Sequence, residues 1–311
     1  MDGYICVDIG GTNIRAALFE FEGIQTIEFK EIETQFKNEA AEGRVIKLIE
    51  AILPKKGNIK AIGVAAPGYV DSTRGIVFSA VNIPGWKNIP LQKILYKKFH
   101  IPVLLENDAR LAALGEWKYG AARGHHDVIY LTISTGIGGG VIIQDRLLKG
   151  SIGLATEIGH TTILPDGPLC SCGHKGHLEA LSSGNAIAKY VQDQIVNGIL
   201  TALQNENQIN AKIIADYALR GDALSIQAFD RAGYYLGIGI ANLIHIFNPT
   251  CIVLGGGVSH SGNLILNPII STVKEQLLGK DYSKKLSINY SELGDRAGII
   301  GALTFIKSFY S

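Results

Sequence analysis

Three short apolar segments of this chain each run directly into a cluster of glycines. The clusters are DIGGT at 8–12, STGIGGG at 134–140 and LGGGV at 254–258. A second apolar segment follows the first two clusters, at 14–21 and 141–144, so each of them predicts a β-hairpin with a glycine tip. Because a strand and not a helix follows DIGGT, the pattern excludes a P-loop and a dinucleotide-binding fingerprint. The chain therefore repeats one hairpin in its two halves.

The remaining sequence alternates between strands and helices, which predicts an α/β fold. Strands are expected at 59–65, 101–105, 128–134 and 251–254, and helical periodicity is present at 40–53, 109–119, 179–203, 211–217, 223–247, 263–278 and 297–309. A length of 311 residues fits two domains. Glycines between Tyr119 and Asp127 mark the best boundary. We therefore expect a smaller domain of 1–120 plus the C-terminal helix at about 299–311, and a larger domain of 121–298.

Composition excludes several classes of protein. The 29 Lys and Arg residues balance the 28 Asp and Glu residues, which leaves no basic face for nucleic acid. The N-terminus MDGYICVDIGG carries acids where a signal peptide carries positive charge, and the apolar segment 234–247 is too short to span a bilayer. The small number of cysteines, only 4, indicates a reducing compartment. We expect a cytoplasmic protein without a nucleic-acid or membrane partner.

The glycine clusters indicate phosphate binding. Glycine lets backbone amides approach an anion closely, although any one cluster is equally explained as a tight turn. Asp8 ends the strand before the first cluster, where a carboxylate can hold Mg²⁺ beside phosphate oxygens. Asp108 lies where a strand meets a helix; it can accept a proton from a hydroxyl, and it can also simply cap the helix as its N-cap. Asn107, Glu157 and Glu179 offer hydrogen bonds of the kind that sugars need.

A candidate zinc site lies in the segment EIGHTTILPDGPLCSCGHKGHL. Thiolate and imidazole are the ligands that zinc prefers, and four of them form a closed structural site. His174 competes with His177 for the fourth position, and free thiols beside surface histidines are the alternative to any metal. The expected ligands are His160, Cys170, Cys172 and His177.

Motifs in a fixed order cover nearly the whole chain. They are DIGGTNIRAAL, APGYVD, NIPGW, LENDARLAALGE, STGIGGG, EIGH, CSCGHKGHLEALSSG and IVLGGGV. With these motifs the chain resembles sugar kinases of the ROK family, in the actin-like ATPase superfamily. The resemblance implies two ribonuclease H-like domains around an ATP and sugar cleft, and ATP-dependent phosphorylation of a hexose. The family pattern has a third cysteine where this chain has His177.

The resemblance also implies a role for each motif residue. Asp108 is the general base; the sugar contacts are Gly68, Asn82, Asn107, Asp108, Glu157, His160 and Glu179; the nucleotide contacts are Asp8, Gly10, Gly11, Thr12, Thr135, Gly136, Gly255, Gly256 and Gly257. The implied cofactors are ATP, Mg²⁺ and structural Zn²⁺, and the implied assembly is a homodimer or homotetramer. Glucose is the first expectation for the sugar. The alternative sugars are N-acetylmannosamine, N-acetylglucosamine, fructose and allose. The alternative functions are a non-catalytic sugar sensor and a repressor. A repressor needs a DNA-binding domain, for which we expect no room ahead of Tyr4.

Overall fold

The computed structural model describes residues 2–35, 39–80 and 83–310, and it has the α/β fold expected from the sequence. The strands are β1 Gly3–Ile9, β2 Asn13–Glu20, β3 Thr26–Glu33, β4 Ile59–Ala66, β5 Tyr69–Asp71, β6 Ile76–Ser79, β7 Lys87–Ile89, β8 Val103–Asn107, β9 Val128–Ile133, β10 Ile137–Ile143, β11 Arg146–Leu147, β12 Cys251–Gly255 and β13 Ser287–Tyr290. The helices are α1 Ala41–Ile52, α2 Leu91–Phe99, α3 Asp108–Tyr119, α4 Leu178–Ser182, α5 Gly184–Val196, α6 Ala211–Leu219, α7 Ala223–Phe247, α8 Asn263–Gln276 and α9 Ala297–Tyr310.

Two compact units divide the chain. The first comprises Met1–Gly124, Gly140–Thr156 and Ser291–Ser311, and the second comprises His125–Gly139 and Glu157–Tyr290. The division expected from the sequence assigned 140–156 to the second domain and made the first domain the smaller one. In the structure that segment belongs to the first unit, because Gly153 and Ala155 accept hydrogen bonds from the buried Arg110 of α3. None of the described helices is long and apolar enough to cross a membrane.

The first unit is built on a five-stranded sheet with the order β3-β2-β1-β4-β8. The predicted glycine-tipped hairpin is confirmed: β1 and β2 are antiparallel, with Ile9 opposite Ile14, and Gly10 N donates to Asn13 O at 2.8 Å. β1, β4 and β8 run parallel. Helix α1 buries Val45, Leu48, Ile49 and Ile52, whose spacing forms one helical face, in the core beneath this sheet.

The second sheet has the order β11-β10-β9-β12-β13, with β12 parallel to β9 and β13. The return strand was expected to begin at Val141, after a turn of 135–140. That prediction was wrong, since β10 already begins at Ile137. Gly140 lies within the strand because α3 packs closely against it: a Cβ there would lie 2.6 Å from Ala113 Cβ. Part of the second glycine cluster therefore serves packing.

Helices dominate the second unit. Helix α7 spans the predicted residues; Asp222 caps it by accepting from Ser225 N at 2.9 Å, and it ends where Asn248 adopts a φ of 46°. The single helical pattern expected over 179–203 is two helices, α4 and α5. The chain breaks between them at Ser183, whose side chain accepts from Ala186 N at 3.2 Å and starts α5.

Candidate active site

The predicted residues of the first unit gather at one edge of its sheet. The carboxyl ends of parallel strands meet at the same edge, where ligands of open α/β sheets bind. The strand register pairs Asp8 of β1 with Ala65 of β4, and Ala66 of β4 with Asn107 of β8. The DIGGT turn, Gly68 and the start of α3 therefore follow neighbouring strand ends.

Asn107, and not Asp108, caps α3. Asn107 Oδ1 accepts from Arg110 N at 3.1 Å, and its Nδ2 donates to Gly68 O at 3.1 Å. Asp108 is the first residue of the helix, and its Oδ1 accepts from Ala109 N at 2.8 Å. The prediction that Asp108 is the N-cap was therefore wrong. Since a neighbouring amide performs the capping, capping does not account for an aspartate at position 108.

A buried ion-pair network lies behind this junction, and the sequence reasoning assigned it no role. The Glu106 side chain is fully buried; its Oε1 accepts from Asn107 N at 2.9 Å and lies 2.8 Å from Arg110 Nη2. Lys149 Nζ lies 3.1 Å from Glu106 Oε2. Paired charges of this kind resist separation, because either one alone would be left desolvated. Because Glu106 belongs to β8 and Arg110 to α3, helical i,i+4 spacing gave no signal for this pair.

Asp8 offers a carboxylate to a cation, and the adjacent first glycine turn offers backbone amides to an anion. Burial raises the pKa of Asp8 to about 6, while the nearby Arg15 opposes the rise. The carboxylate is therefore mostly ionised at neutral pH and suited to a hard cation. Gly10 N is used within the hairpin. The amides of Gly11 and Thr12 donate to no acceptor in the described part of the chain, so they are the amides available to a phosphate.

In the second unit, two further glycine turns follow neighbouring parallel strands. Gly255 of β12 pairs with Thr132 of β9, so Thr135 and Gly136 lie beside the turn that begins at Gly255. Gly256 has a φ of 83°, which favours glycine, and Gly257 begins a 3₁₀ turn. These are the remaining predicted nucleotide contacts.

Glu179 connects the second hairpin to the cysteine loop. Its Oε2 accepts from Ile137 N at 2.9 Å, and its Oε1 accepts from Ser171 Oγ at 3.3 Å. A Cβ at Gly136 would collide with Glu179 Oε2, so a side chain there would displace the carboxylate. Glu179, Thr135 and Ser171 also line a cavity of about 200 Å³. The sequence placed Glu179 in a sugar pocket but did not predict its contact with the hairpin.

The four predicted metal ligands come together. One ligand atom from each of His160, Cys170, Cys172 and His177 lies within 4.8 Å of the others. Cys172 Sγ is 3.2 Å from His177 Nδ1, and Cys170 Sγ is 3.7 Å from His160 Nδ1. Ligand atoms around a tetrahedral zinc ion lie about 3.3 to 3.8 Å apart. The donor set and its spacing therefore fit zinc.

Local structure explains which histidine joins the group. His177 precedes α4 and pairs with Thr162 in an isolated β-bridge, which turns it toward the cysteines. His174 stacks on His177 with ring centroids 5.6 Å apart, and its Nδ1 lies 3.7 Å from Cys172 Sγ, but it is not part of the group whose ligand atoms all lie within 4.8 Å of one another. Burial lowers the pKa of His177 and thereby favours the neutral imidazole that binds metal. Burial also raises the pKa of the Cys170 thiol, and a bound cation would favour its deprotonation.

Of the two remaining predicted sugar contacts, one can be located. Glu157 immediately precedes the 3₁₀ turn Ile158–His160, so it lies on the same turn as the metal ligand His160. Asn82 lies outside the described residues, and its role stays a prediction.

The sequence profile of the ROK family matches residues 4–308. The chain belongs to the ROK family. Its ROK relatives include the glucokinase of Streptomyces coelicolor, which is 36% identical over 96% of this chain and 95% of that protein. The xylose repressor of Bacillus spizizenii is 32% identical over 98% of this chain and 77% of that protein. Among solved structures, a ROK family glucokinase from Streptomyces griseus in complex with glucose and AMPPNP is 34% identical, with a TM-score of 0.83 over 97% of this chain and 98% of that one. This likeness confirms the predicted fold class.

Proposed function

We propose that this protein is an ATP-dependent hexose kinase that converts glucose to glucose 6-phosphate. The observation that carries the proposal is the position of Asp108, at the sheet edge that also bears the DIGGT turn, with helix capping left to Asn107. A sugar hydroxyl needs a proton acceptor as it attacks phosphorus, and Asp108 supplies that carboxylate. The choice of glucose rests on the two glucokinases of Streptomyces, one of which was solved with glucose and AMPPNP.

The glycine turns would hold ATP. The amides of Gly11 and Thr12, and those of the Thr135–Gly136 tip, would be able to donate to phosphate oxygens. The turn at Gly255, Gly256 and Gly257 would lie against the adenosine. Asp8 would hold Mg²⁺, which neutralises the negative charge of the phosphates when it is bound.

Hydrogen bonds would orient the sugar. The residues proposed to contribute them are Gly68, Asn82, Asn107, Glu157, His160 and Glu179. Carboxylates and amides match a hexose because each sugar hydroxyl can both donate and accept a hydrogen bond.

Zinc would act through structure and not through chemistry on phosphate. Bound by His160, Cys170, Cys172 and His177, it would crosslink the loop 161–169 to α4 and fix the turn that carries Glu157 and His160. With two thiolates and two neutral imidazoles, the site has no net charge, which lowers the cost of its burial. Four ligands fill the zinc shell, so Glu179 remains available for the sugar.

An ADP-release assay across a hexose panel, with and without magnesium, tests the function. Glucose should give the highest kcat/KM among glucose, N-acetylmannosamine, N-acetylglucosamine, fructose and allose, and turnover should require magnesium. The similarity to the xylose repressor makes sugar binding without catalysis the second candidate. Sugar binding by calorimetry, without ADP release from any sugar in the panel, would establish that candidate and overturn the kinase.

A further inference from the structure

A second cavity lies within the first unit, among residues that the proposed active site does not use. It is formed by the C-terminal turn of α3, the β10–β11 hairpin and the C-terminal half of α9, and its volume is about 590 Å³. Cavities of this size hold small molecules in other proteins. Its walls include Trp117, Lys118, Arg146, Lys149, Phe305 and Lys307.

The lining is positively charged and aromatic. Three lysines, Arg146 and one carboxylate, Asp145, line the pocket, so its lining residues carry a net positive charge even though Lys149 is paired with Glu106 behind them. Lys118 and Arg146 are exposed, and a planar guanidinium suits phosphate. Lys149 Nζ lies 4.4 Å from the centre of the Phe305 ring. An anion joined to an apolar or ring-shaped body matches this combination better than either a bare ion or a neutral molecule.

Lys149 also connects the pocket to the residues that precede Asp108. Its side chain is 36% exposed, yet its Nζ lies 3.1 Å from the fully buried Glu106. The same carboxylate accepts from the backbone N of Asn107, which in turn caps α3. An anionic ligand that binds Lys149 from the pocket would compete with Glu106 for the positive charge of this lysine. A buried carboxylate that loses a partner is destabilised in its position.

We propose that this pocket binds a small organic phosphate, and that its occupancy lowers turnover through Lys149, Glu106 and Asn107. The coupling to turnover rests on the proposed kinase function, whereas the binding does not. Two sources supply this chemistry. If the ligand is a sugar phosphate, the site would mediate feedback inhibition by the class of compound that the reaction produces. If it is a non-sugar phosphate, the site would make turnover depend on other reactions of the cell.

Binding is tested by calorimetry with saturating glucose and AMPPNP, so that the proposed active site is filled. The probes are glucose 6-phosphate, phosphoenolpyruvate and inorganic phosphate. We expect one of the two organic phosphates to bind, and to bind more tightly than inorganic phosphate. Arg146→Glu should weaken that binding at least about tenfold, whereas Arg220→Glu, the same change on the exposed end of α6, should not alter it. No binding by either organic phosphate, or equal binding to both variants, overturns the site.

Coupling is tested by steady-state kinetics at saturating glucose and ATP. The bound phosphate should lower kcat in the wild-type protein and in Lys149→Arg, but not in Lys149→Gln, which keeps no charge to exchange. Arg146→Glu should retain the basal kcat and lose the inhibition. Binding without any change in kcat overturns the coupling while leaving the site intact. If no sugar is phosphorylated at all, the kinase proposal fails, and the calorimetry still decides whether the pocket binds phosphate.

Discussion

The two glycine-tipped hairpins share a sequence pattern but differ in what faces their tips. The first carries its own carboxylate, Asp8, and the amides of Gly11 and Thr12 meet no acceptor among the described residues. The second carries no carboxylate before its glycines and instead receives Glu179 from α4, which binds Ile137 N. A repeated pattern thus predicts the same backbone twice, while the chain around each copy decides whether the tip is open or bridged.

The segment beside each hairpin is also stabilised differently. The junction of β8 and α3 is held by the buried pair of Glu106 and Arg110, whose Nη2 lies 2.8 Å from the carboxylate. The loop that carries Cys170 and Cys172 has little apolar content, and a metal ion would replace the missing core. We therefore expect substitutions at the β8–α3 junction to change the rate of the chemical step. Substitutions in the cysteine loop should change substrate binding and metal content.

Asp108→Asn should have the largest effect. It removes the proton acceptor and keeps the shape of the side chain, so kcat should fall by about 100 to 10,000-fold while calorimetry still shows glucose binding. Asp281→Asn, a matched change on an exposed turn, should retain normal kcat. A near-normal kcat in Asp108→Asn would exclude the general-base role.

Cys172→Ala should remove both metal and activity. With three ligands left the site no longer closes around zinc, so elemental analysis should fall from one zinc per chain to almost none, and kcat/KM should fall at least about tenfold. His177→Ala should do the same, and His174→Ala should keep the metal, because His174 lies outside the four-residue group. Wild-type protein that is fully active without zinc would contradict the structural role.

Local patterns predicted much of this molecule. The hairpin at DIGGT, the full extent of α7 and the four grouped ligands follow from periodicity, capping residues and the chemistry of Cys and His. Each of these signals lies within a short stretch of sequence, where spacing alone fixes which side chains can meet.

Contacts between distant residues were not predictable in this way. Nothing near Glu106 in the sequence indicates that Lys149 pairs with it, since strand order and packing bring the two residues together. The same holds for Glu179 and Ile137 N. The capping error had a local cause: two capping residues are adjacent, and only the backbone of Asn107, which is extended with a φ of −65° and a ψ of 141°, shows which one precedes the helix.

Glu179→Gln should separate sugar binding from metal binding. The amide oxygen can still accept from Ile137 N, so the hairpin contact is kept, but a neutral group binds sugar hydroxyls less strongly. The KM for glucose should rise about tenfold while zinc stays at one per chain. Glu275→Gln on the surface of α8 is the control. Loss of zinc from Glu179→Gln would place this carboxylate in the metal shell.

The two hairpin tips should respond differently to a single added side chain. Gly11→Val should raise the KM for ATP more than that for glucose and leave the melting temperature nearly unchanged, because only the bound nucleotide is displaced. Gly136→Ala pushes against the carboxylate of Glu179. Because the flexible end of that side chain can shift, the free energy of unfolding should fall only by about 1 kcal/mol, the contribution of the hydrogen bond to Ile137 N, while both KM values rise. Unchanged ATP kinetics in Gly11→Val would mean that the first turn does not hold phosphate.

The smallest expected effect concerns stability at the first hairpin. Burial raises the pKa of Asp8 to about 6, so the folded protein binds this proton more tightly than the unfolded chain does, for which aspartate has a pKa of about 3.9. The contribution of Asp8 to stability is complete below pH of about 4 and is lost as the pH rises through about 6. Asp8→Asn has no proton to lose. Between pH 4 and pH 7.5, its free energy of unfolding should therefore rise relative to that of the wild type by about 1 to 2 kcal/mol. Melting temperatures of the two proteins at both pH values measure this change. A difference between Asp8→Asn and wild type that is the same at both pH values would show that Asp8 titrates normally and that its burial carries no cost.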